Sequence, residues 1–270
     1  MSTILLIGAT SGIGEAMLRR FHGLGKKVIA TGRNRQKLGE LAVELKGVET
    51  RVMDVCDLPS LPSNVEKILK DFPNLDTVFI NAGIQKSFSL FDASQTRAIS
   101  NTIVHEITTN LTAPNLLVHL FAPYLLQRAK AGKKSNIFVT SSGLAYVPLG
   151  DYPTYCATKA GIHALLKGFR QQLLAQGEEA SRNMSIVEVV PPWVDTGLDK
   201  EHRETLQKEK DMGPPPMPLE EYINKFFENL DQLNPDGSIK PEIGVGYGGL
   251  GIQTWRNAFE PMYKHMGLST

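Results

Sequence analysis

Short apolar runs alternate along this chain with longer stretches whose apolar residues recur at helical spacing. The short runs are rich in β-branched residues and predict strands at residues 3–7, 27–31, 49–54, 77–80, 137–139, 185–190 and 242–245. The longer stretches predict helices at residues 15–24, 36–45, 59–71, 98–127, 154–176 and 218–230, and in the tail up to residue 266. Because strands and helices alternate, we predict an α/β fold: one domain over residues 1–270, with a doubly wound parallel sheet and helices on both faces.

Three stretches depart from this alternation. The longest helical pattern contains Pro114, which predicts a kink or break just after Asn110, because proline removes a backbone donor. Residues 192–218 are loop-rich and carry a charged run at 199–211 with helical spacing, which predicts a functional substrate loop or a disordered segment. The glycine cluster at 246–251 lacks the Lys-Ser/Thr of a phosphate-binding loop, so we predict a flexible turn there.

Composition and charge narrow the class of protein. The chain has 270 residues, 41% of them apolar, and a net charge of +1 with acidic and basic residues intermixed. This balance argues against nucleic-acid or membrane binding, and no apolar run resembles a membrane span or a signal peptide. Cys56 and Cys156 have no metal-ligand or redox spacing and fit a reducing compartment. We expect a cytoplasmic protein with no metal site.

A glycine-rich turn, Gly8-Ala9-Thr10-Ser11-Gly12-Ile13-Gly14, directly follows the first predicted strand and precedes a helix. Its three glycines would let backbone N–H groups approach a pyrophosphate, and the helix N-terminus would add partial positive charge. The alternative is a merely tight turn between a strand and a helix. We predict a dinucleotide site here, because the glycine spacing and the following helix both suit a pyrophosphate.

The end of the second predicted strand bears on which dinucleotide binds. Gly32 and Arg33 stand where an acidic side chain would otherwise accept a hydrogen bond from a ribose 2′-hydroxyl. An arginine offers a planar cationic fork to a 2′-phosphate, so we predict NADP(H). The alternative is that Arg33 is an exposed loop residue without a ligand.

A serine, a tyrosine and a lysine form the candidate chemical group. Ser142 follows the strand at 137–139, where polar groups face the usual ligand crevice of an α/β sheet. Tyr155 and Lys159 lie one turn apart on the next predicted helix, and a neighbouring cation is expected to lower the pKa of the phenol. Tyr155 is thus a candidate general acid or base. A Tyr-x-x-x-Lys pair also arises by chance, so the pair by itself does not define a site.

Taken in order, these motifs resemble the single-domain branch of the short-chain dehydrogenase/reductase family, over about residues 3–200. The residues that carry the resemblance are the glycine turn, Asp54, Asn81-Ala82-Gly83, Asn110, Ser142, Tyr155-x-x-x-Lys159 and the segment from Pro191 to Thr196. The resemblance implies a Rossmann-like fold. The chain departs from the family pattern at Pro191-Pro192, where the family usually has Pro-Gly.

The resemblance also implies the role of each catalytic residue. Tyr155 would give a proton to a carbonyl oxygen, Ser142 would hydrogen-bond that oxygen, and Lys159 would bind the nicotinamide ribose. Asn110 would hold a water of the proton relay; the alternative for Asn110 alone is that it satisfies helix carbonyls freed by the break. The residues implied to contact the cofactor are Gly8, Thr10, Ser11, Gly12, Ile13, Arg33, Asp54, Val55, Asn81, Ala82, Gly83, Tyr155, Lys159, Pro191, Val194 and Thr196.

The function implied is that of an NADP(H)-dependent oxidoreductase. It would move hydride between the nicotinamide and a carbonyl or secondary alcohol of a small molecule, as a ketone reductase. The apolar residues that flank the catalytic groups favour an apolar or aromatic substrate; they are Leu144, Val147, Leu149, Tyr152 and Trp193.

Two alternatives to this function remain, since a fold does not determine a function. The scaffold could serve redox-neutral catalysis or nucleotide sensing. A sugar-nucleotide epimerase or dehydratase would usually have a Gly-x-x-Gly-x-x-Gly turn and a longer chain, and this chain has neither. The helical patterns at 98–127 and 154–176 have apolar residues on more than one face, and the family commonly associates through these helices, which predicts a homodimer or homotetramer.

Overall fold

The computed structural model describes residues 1–199 and 215–268. Its strands are β1 Thr3–Ile7, β2 Lys27–Gly32, β3 Glu49–Val52, β4 Thr77–Ile80, β5 Ser135–Thr140, β6 Met184–Val190 and β7 Glu242–Gly244. They form one parallel sheet in the order β3-β2-β1-β4-β5-β6-β7, so every predicted strand is present. The direction of winding reverses between β1 and β4, which places a crevice at the carboxyl ends of these two strands.

Helices cover both faces of the sheet. They are α1 Gly12–Gly23, α2 Arg35–Glu44, α3 Leu61–Asp71, α4 Thr96–Ile107, α5 Ala113–Lys130, α6 Pro153–Leu174, α7 Glu178–Asn183, α8 Leu219–Leu230 and α9 Tyr247–His265. Helices α3, α5 and α6 pack on one face, and α1, α2 and α8 pack on the other. The predicted α/β class, a Rossmann-like doubly wound sheet, is therefore confirmed. In the described residues, none of the helices has the length and apolar character that crossing a lipid bilayer requires.

The strands read as continuous apolar runs because both of their sides meet a helical layer. In β1, Leu5 and Ile7 pack in the core shared with α3, α5 and α6, whereas Ile4 and Leu6 pack in the core shared with α1, α2 and α8. All four of these side chains are buried. Alternate residues of one strand thus serve two separate cores.

The helical pattern at 98–127 is interrupted, as Pro114 predicted. Helix α4 ends at Ile107, and the five residues Thr108–Thr112 form a π-helical turn before α5 begins. Pro114 lies in the first turn of α5, where the missing backbone donor costs little. The turn widens the helix around Asn110 and presents its side chain to the crevice side of the sheet.

The predicted substrate loop at 192–218 is described at its two ends. Val194 pairs with Met217 in a parallel bridge, and Asp195 N donates a hydrogen bond to Met217 O at 2.8 Å. The two ends therefore meet. Most of the charged run at 199–211 lies outside the described residues.

The prediction of a flexible turn at the glycine cluster 246–251 was wrong. Gly246 caps α9, and the remaining glycines form its first turns. A Cβ on Gly248 would lie 2.1 Å from Val190 O, so only glycine lets the helix approach β6 this closely. These glycines dock a helix onto the sheet.

Candidate active site

The glycine turn brings the start of α1 against the end of β1. Gly8 has φ +84, and a Cβ on Gly14 would lie 1.9 Å from Gly8 O, so both positions require glycine. Asn81, at the end of β4, donates from Nδ2 to Gly8 O at 3.4 Å. Helix α1 begins at Gly12 after Ser11, and the N–H groups of its first turn have no acceptor within the helix. This arrangement fits the pyrophosphate of a dinucleotide.

The ends of β2 and β3 flank this turn. A Cβ on Gly32 would lie 2.6 Å from the methyl carbon of Thr10, so the missing side chain makes room for Thr10. Arg33 is exposed directly after the strand. Asp54 Oδ1 accepts a hydrogen bond from Cys56 N at 2.9 Å and Val55 is buried, so both shape the loop after β3.

Ser142 and Tyr155 meet across the carboxyl end of β5. Ser142 is buried just beyond that strand, and its Oγ accepts a hydrogen bond from Leu144 N at 3.1 Å. Tyr155 lies in the first turn of α6, and its phenol is close enough to the Ser142 hydroxyl for that hydroxyl to lower the pKa of the phenol. A phenol and a second hydroxyl thus lie side by side. Gly143 N donates a hydrogen bond to Pro191 O at 2.9 Å, which links this loop to the end of β6.

Lys159 lies beneath Tyr155 on the same face of α6. Its Nζ is 5.5 Å from the centre of the Tyr155 ring and donates a hydrogen bond to Thr140 O at 2.9 Å. Thr140 Oγ1 in turn donates to Asn81 Oδ1 at 3.0 Å, so one residue of β5 connects the lysine with the end of β4. The predicted one-turn spacing therefore places both side chains in one site.

Asn110 holds the chain segment that follows Asn81-Ala82-Gly83. Its Oδ1 accepts from Ile84 N at 2.9 Å, and its Nδ2 donates to Ile84 O at 2.8 Å. A contact of 3.4 Å with Thr158 Oγ1 ties it to α6. In the described part of the chain, the Asn110 side-chain amide is therefore bonded to Ile84 and Thr158, and it does not bond to helix carbonyls freed by the break. A Cβ on Gly83 would lie 3.4 Å from Asn110 Oδ1 and 3.5 Å from Lys159 Nζ, so Asn110 borders the lysine.

Near the end of β6, the remaining cofactor candidates come close to the glycine turn. A Cβ on Gly12 would lie 3.4 Å from the Thr196 side chain. Thr196 Oγ1 accepts a hydrogen bond from Leu198 N at 3.2 Å, and Val194 is buried. The segment after Pro191 therefore faces the start of α1 across the crevice.

Burial dominates the electrostatics of the site. It raises the pKa of Tyr155 to about 12, which the neighbouring Ser142 hydroxyl only partly offsets. Burial also lowers the pKa of Lys159 to about 8, while the charge of Glu106 acts in the opposite direction. The sequence-based expectation of a lowered tyrosine pKa is therefore not met by this arrangement. A raised pKa keeps the phenol protonated at neutral pH.

Glu106 is the member of this environment that the sequence pattern missed. The helical pattern placed Ile107 on the apolar face, yet Ile107 is exposed and Glu106 is fully buried. The signal was present, because Glu106 lies one turn before Asn110 and in helical register with Ile99 and Ile103. A carboxylate on the inner face of a helix marks either a paired charge or a functional group.

Comparison with known proteins identifies the class. A family model described as short chain dehydrogenase matches residues 2–207. The chain belongs to this family of oxidoreductases. It is 33% identical, over 231 residues, to the uncharacterised oxidoreductase DltE of Bacillus subtilis (strain 168), a match that covers 86% of this chain and 85% of that protein.

Two solved structures share the fold. A short chain dehydrogenase/reductase from Burkholderia phymatum in complex with NAD has a TM-score of 0.75 and 18% identity, covering 97% of this chain and 94% of that one. A short-chain dehydrogenase from Sphingobium yanoikuyae in complex with NADPH has a TM-score of 0.72 and 21% identity, covering 97% and 95%. The cofactors of these two proteins differ, so the choice between them rests on this chain's own residues.

Proposed function

We propose that this protein is an NADP(H)-dependent oxidoreductase that reduces a ketone of an apolar or aromatic small molecule. The observation that carries the proposal is the placement of Ser142, Tyr155 and Lys159 in one site, at the crevice beside the glycine turn. The bound nicotinamide would supply or accept the hydride. The protein's residues would position the carbonyl and supply the proton.

Each catalytic side chain has a distinct part in the proposed reaction. Tyr155, protonated at neutral pH, gives its proton to the carbonyl oxygen as negative charge develops there. Ser142 donates a second hydrogen bond to that oxygen, and its Oγ is oriented by Leu144 N. Lys159 binds the nicotinamide ribose and provides positive charge near the phenol. Asn110 fixes the wall of the pocket behind the lysine and supports proton return to Tyr155.

The preference for NADP(H) rests on the end of β2. Asn34 is occupied as the cap of α2, since its Oδ1 accepts from Lys37 N at 3.0 Å. Arg33 is exposed immediately before it, at the position from which a guanidinium would reach a 2′-phosphate. No carboxylate follows Gly32 to repel that phosphate.

The apolar rim of the site supports an apolar substrate. Val147, Leu149 and Trp193 are exposed at the loops that follow β5 and β6. Tyr152, by contrast, is buried against Tyr155 and Cys156, so it belongs to the packing of α6 rather than to the rim. We take residues 192–218 as the substrate loop of a domain that spans residues 1–270.

Exposed apolar residues on α4 and α5 bear on the oligomeric state. Val104, Ile107 and Leu116 leave exposed apolar surface along α4 and α5, which favours a homodimer or homotetramer in the cytoplasm. Light scattering at micromolar protein concentration should give at least twice the mass of one chain. A monomer mass would remove this part of the proposal and leave the chemistry standing.

The function is tested by following the absorbance of NADPH while the protein is supplied with aromatic, steroid and aliphatic ketones. We expect oxidation of NADPH with at least one apolar ketone, and much slower oxidation of NADH. Product formation without any change in nicotinamide absorbance would support redox-neutral catalysis. Nucleotide binding without turnover of any compound would support a sensing role.

A further inference from the structure

Glu106 is a buried acid that the proposed reaction does not yet use. Its side chain on α4 has 0% exposure, and Oε1 accepts a hydrogen bond from Lys86 N at 3.0 Å. In residues 1–199 and 215–268, Oε2 is buried and has no hydrogen-bond partner. A carboxylate in this position is costly, because half of its acceptor capacity is empty. Such a group calls for an explanation other than packing.

The position of Glu106 connects it with the catalytic residues. Glu106 and Asn110 lie one turn apart on α4 and the π-helical turn, and they hold alternate backbone amides, those of Lys86 and Ile84. The same segment begins at Gly83, whose Cβ position is 3.5 Å from Lys159 Nζ. Glu106 therefore stands in the wall that borders the lysine.

Among the described residues, the titratable neighbours of Glu106 come from two elements. Lys86 faces it from the segment after β4, and Tyr155, Cys156 and Lys159 face it from α6. Burial raises the pKa of Glu106 to about 7, partly offset by the Lys86 amide and by the charges of Lys159 and Lys86. Its negative charge raises the pKa of both Lys159 and Tyr155.

We propose that Glu106 is a positioning residue that acts as the internal counter-charge of Lys159 and so keeps both Lys159 and Tyr155 protonated. This inference rests on the proposed ketone reduction. Burial alone drives the lysine towards its neutral form, and the carboxylate opposes that change. The same charge disfavours a phenolate at Tyr155. Both effects extend the reducing form of the site towards alkaline pH.

The decisive variant is Glu106→Gln. Glutamine keeps an oxygen acceptor for Lys86 N and removes the charge, so a purely structural role is retained. We expect the alkaline limb of kcat/KM for ketone reduction, which lies near pH 8 if Lys159 must be charged, to move down by about one pH unit. Glu106→Asp, which keeps the charge, should leave the limb close to its original position. Glu66→Gln, which removes an exposed carboxylate on α3, should not move it.

A second measurement does not depend on turnover. NMR with ¹³Cε-labelled lysine, with the Lys159 signal assigned by its loss in Lys159→Arg, reports the lysine pKa in the free protein. Glu106→Gln should lower that pKa by about one unit. If glutamine does not fold, Glu106→Leu, which is neutral and adds no polar atom, serves for the same titration.

The outcomes separate this inference from the proposed function. An unchanged Lys159 pKa in the neutral variants overturns the counter-charge, whether or not ketones are reduced. A shifted lysine pKa in a protein that reduces no ketone upholds the electrostatic coupling and rejects the ketone reductase. An alkaline limb and a kcat/KM that both stay at their wild-type values in Glu106→Gln assign Glu106 to holding Lys86 N alone and overturn the proposal.

Discussion

The ammonium nitrogen of Lys159 lies 5.5 Å from the centre of the Tyr155 ring and is hydrogen-bonded to the carbonyl of Thr140, at 2.9 Å. The two side chains come from successive turns of α6, so their spacing is set by the helix. The carbonyl at the end of β5 sets the direction of the lysine. Helix α6 and the carboxyl end of β5 therefore jointly position Tyr155 and Lys159.

The first prediction concerns Tyr155→Phe. Phenylalanine keeps the buried ring and removes the proton donor, so kcat should fall by at least about 10²-fold while the melting temperature changes little. The control is Tyr124→Phe, which removes a phenol hydroxyl bonded to Pro73 O, far from the candidate site. Steady-state kinetics and thermal unfolding of the two variants provide the test. Turnover retained in Tyr155→Phe would exclude this residue as the proton donor.

The second prediction concerns Lys159→Ala. If Lys159 binds the nicotinamide ribose and also supports Tyr155, both kcat and cofactor affinity should fall, with NADPH bound roughly tenfold or more weakly. Lys130→Ala removes an exposed lysine at the end of α5 and should alter neither quantity. Fluorescence titration of NADPH gives the affinity separately from turnover. A loss in kcat with unchanged affinity would contradict the ribose contact.

The third prediction concerns Arg33→Ala. A hydrogen bond to a charged group contributes about 1.5–3 kcal/mol, so NADPH binding should weaken roughly 10- to 100-fold while NADH binding changes little. Arg35→Ala is the matched control, since it removes an exposed arginine from the first turn of α2. Titration of both variants with both cofactors gives the comparison. Equal weakening of NADH and NADPH binding, or wild-type protein that binds both equally, would show that Arg33 does not select the cofactor.

The fourth prediction concerns stability. Glu242 on β7 is buried and accepts hydrogen bonds from Lys167 Nζ at 2.8 Å and Arg170 Nη1 at 2.9 Å, and it also pairs with Arg256 of α9. Glu242→Gln should lower the free energy of unfolding by about 3–5 kcal/mol, because it leaves buried cations without a counter-charge. Glu221→Gln, in an exposed pair with Lys225 on α8, should cost only about 0.3–0.5 kcal/mol. Urea unfolding measures the free energy of unfolding of both variants. Equally small losses would show that Glu242 does not stabilise the fold through these buried ion pairs.

The same carboxylate predicts a pH dependence. Burial by itself would raise the pKa of Glu242, but the charges of Arg170, Lys167 and Arg256 lower it from 4.5 to about 2. A lowered folded pKa stabilises the fold above the unfolded value, and that contribution is lost as the pH falls from about 4.5 towards about 2. The stability difference between wild type and Glu242→Gln should therefore shrink over this range. A constant difference would show that the carboxylate is not held by these cations.

Local features of the sequence were enough to predict much of the fold and the location of the candidate site. The strands were predictable because β-branched apolar runs are short, are bounded by turn residues and need only burial on both sides. Pro114 predicted the interruption near Asn110 because its effect on a helix is local. Ser142, Tyr155 and Lys159 were predictable because strand ends and helical turns have fixed spacings, and the structure brings all three together.

The remaining features depend on what surrounds each residue after folding. The segment 246–251 caps and begins a helix that docks on the sheet, and Val190 leaves room only for a hydrogen atom at Gly248, a contact between segments far apart in sequence. The pKa of Tyr155 rises rather than falls because burial outweighs the opposing effect of the Ser142 hydroxyl, and burial is decided by the packing around the phenol after folding. Glu106 lies inside rather than outside because the π-helical turn and the segment from Gly83 to Lys86 enclose it. The sequence alone determined which chemical groups the chain carries and their spacing within each element, whereas the tertiary structure decided their solvation, and with it their charge.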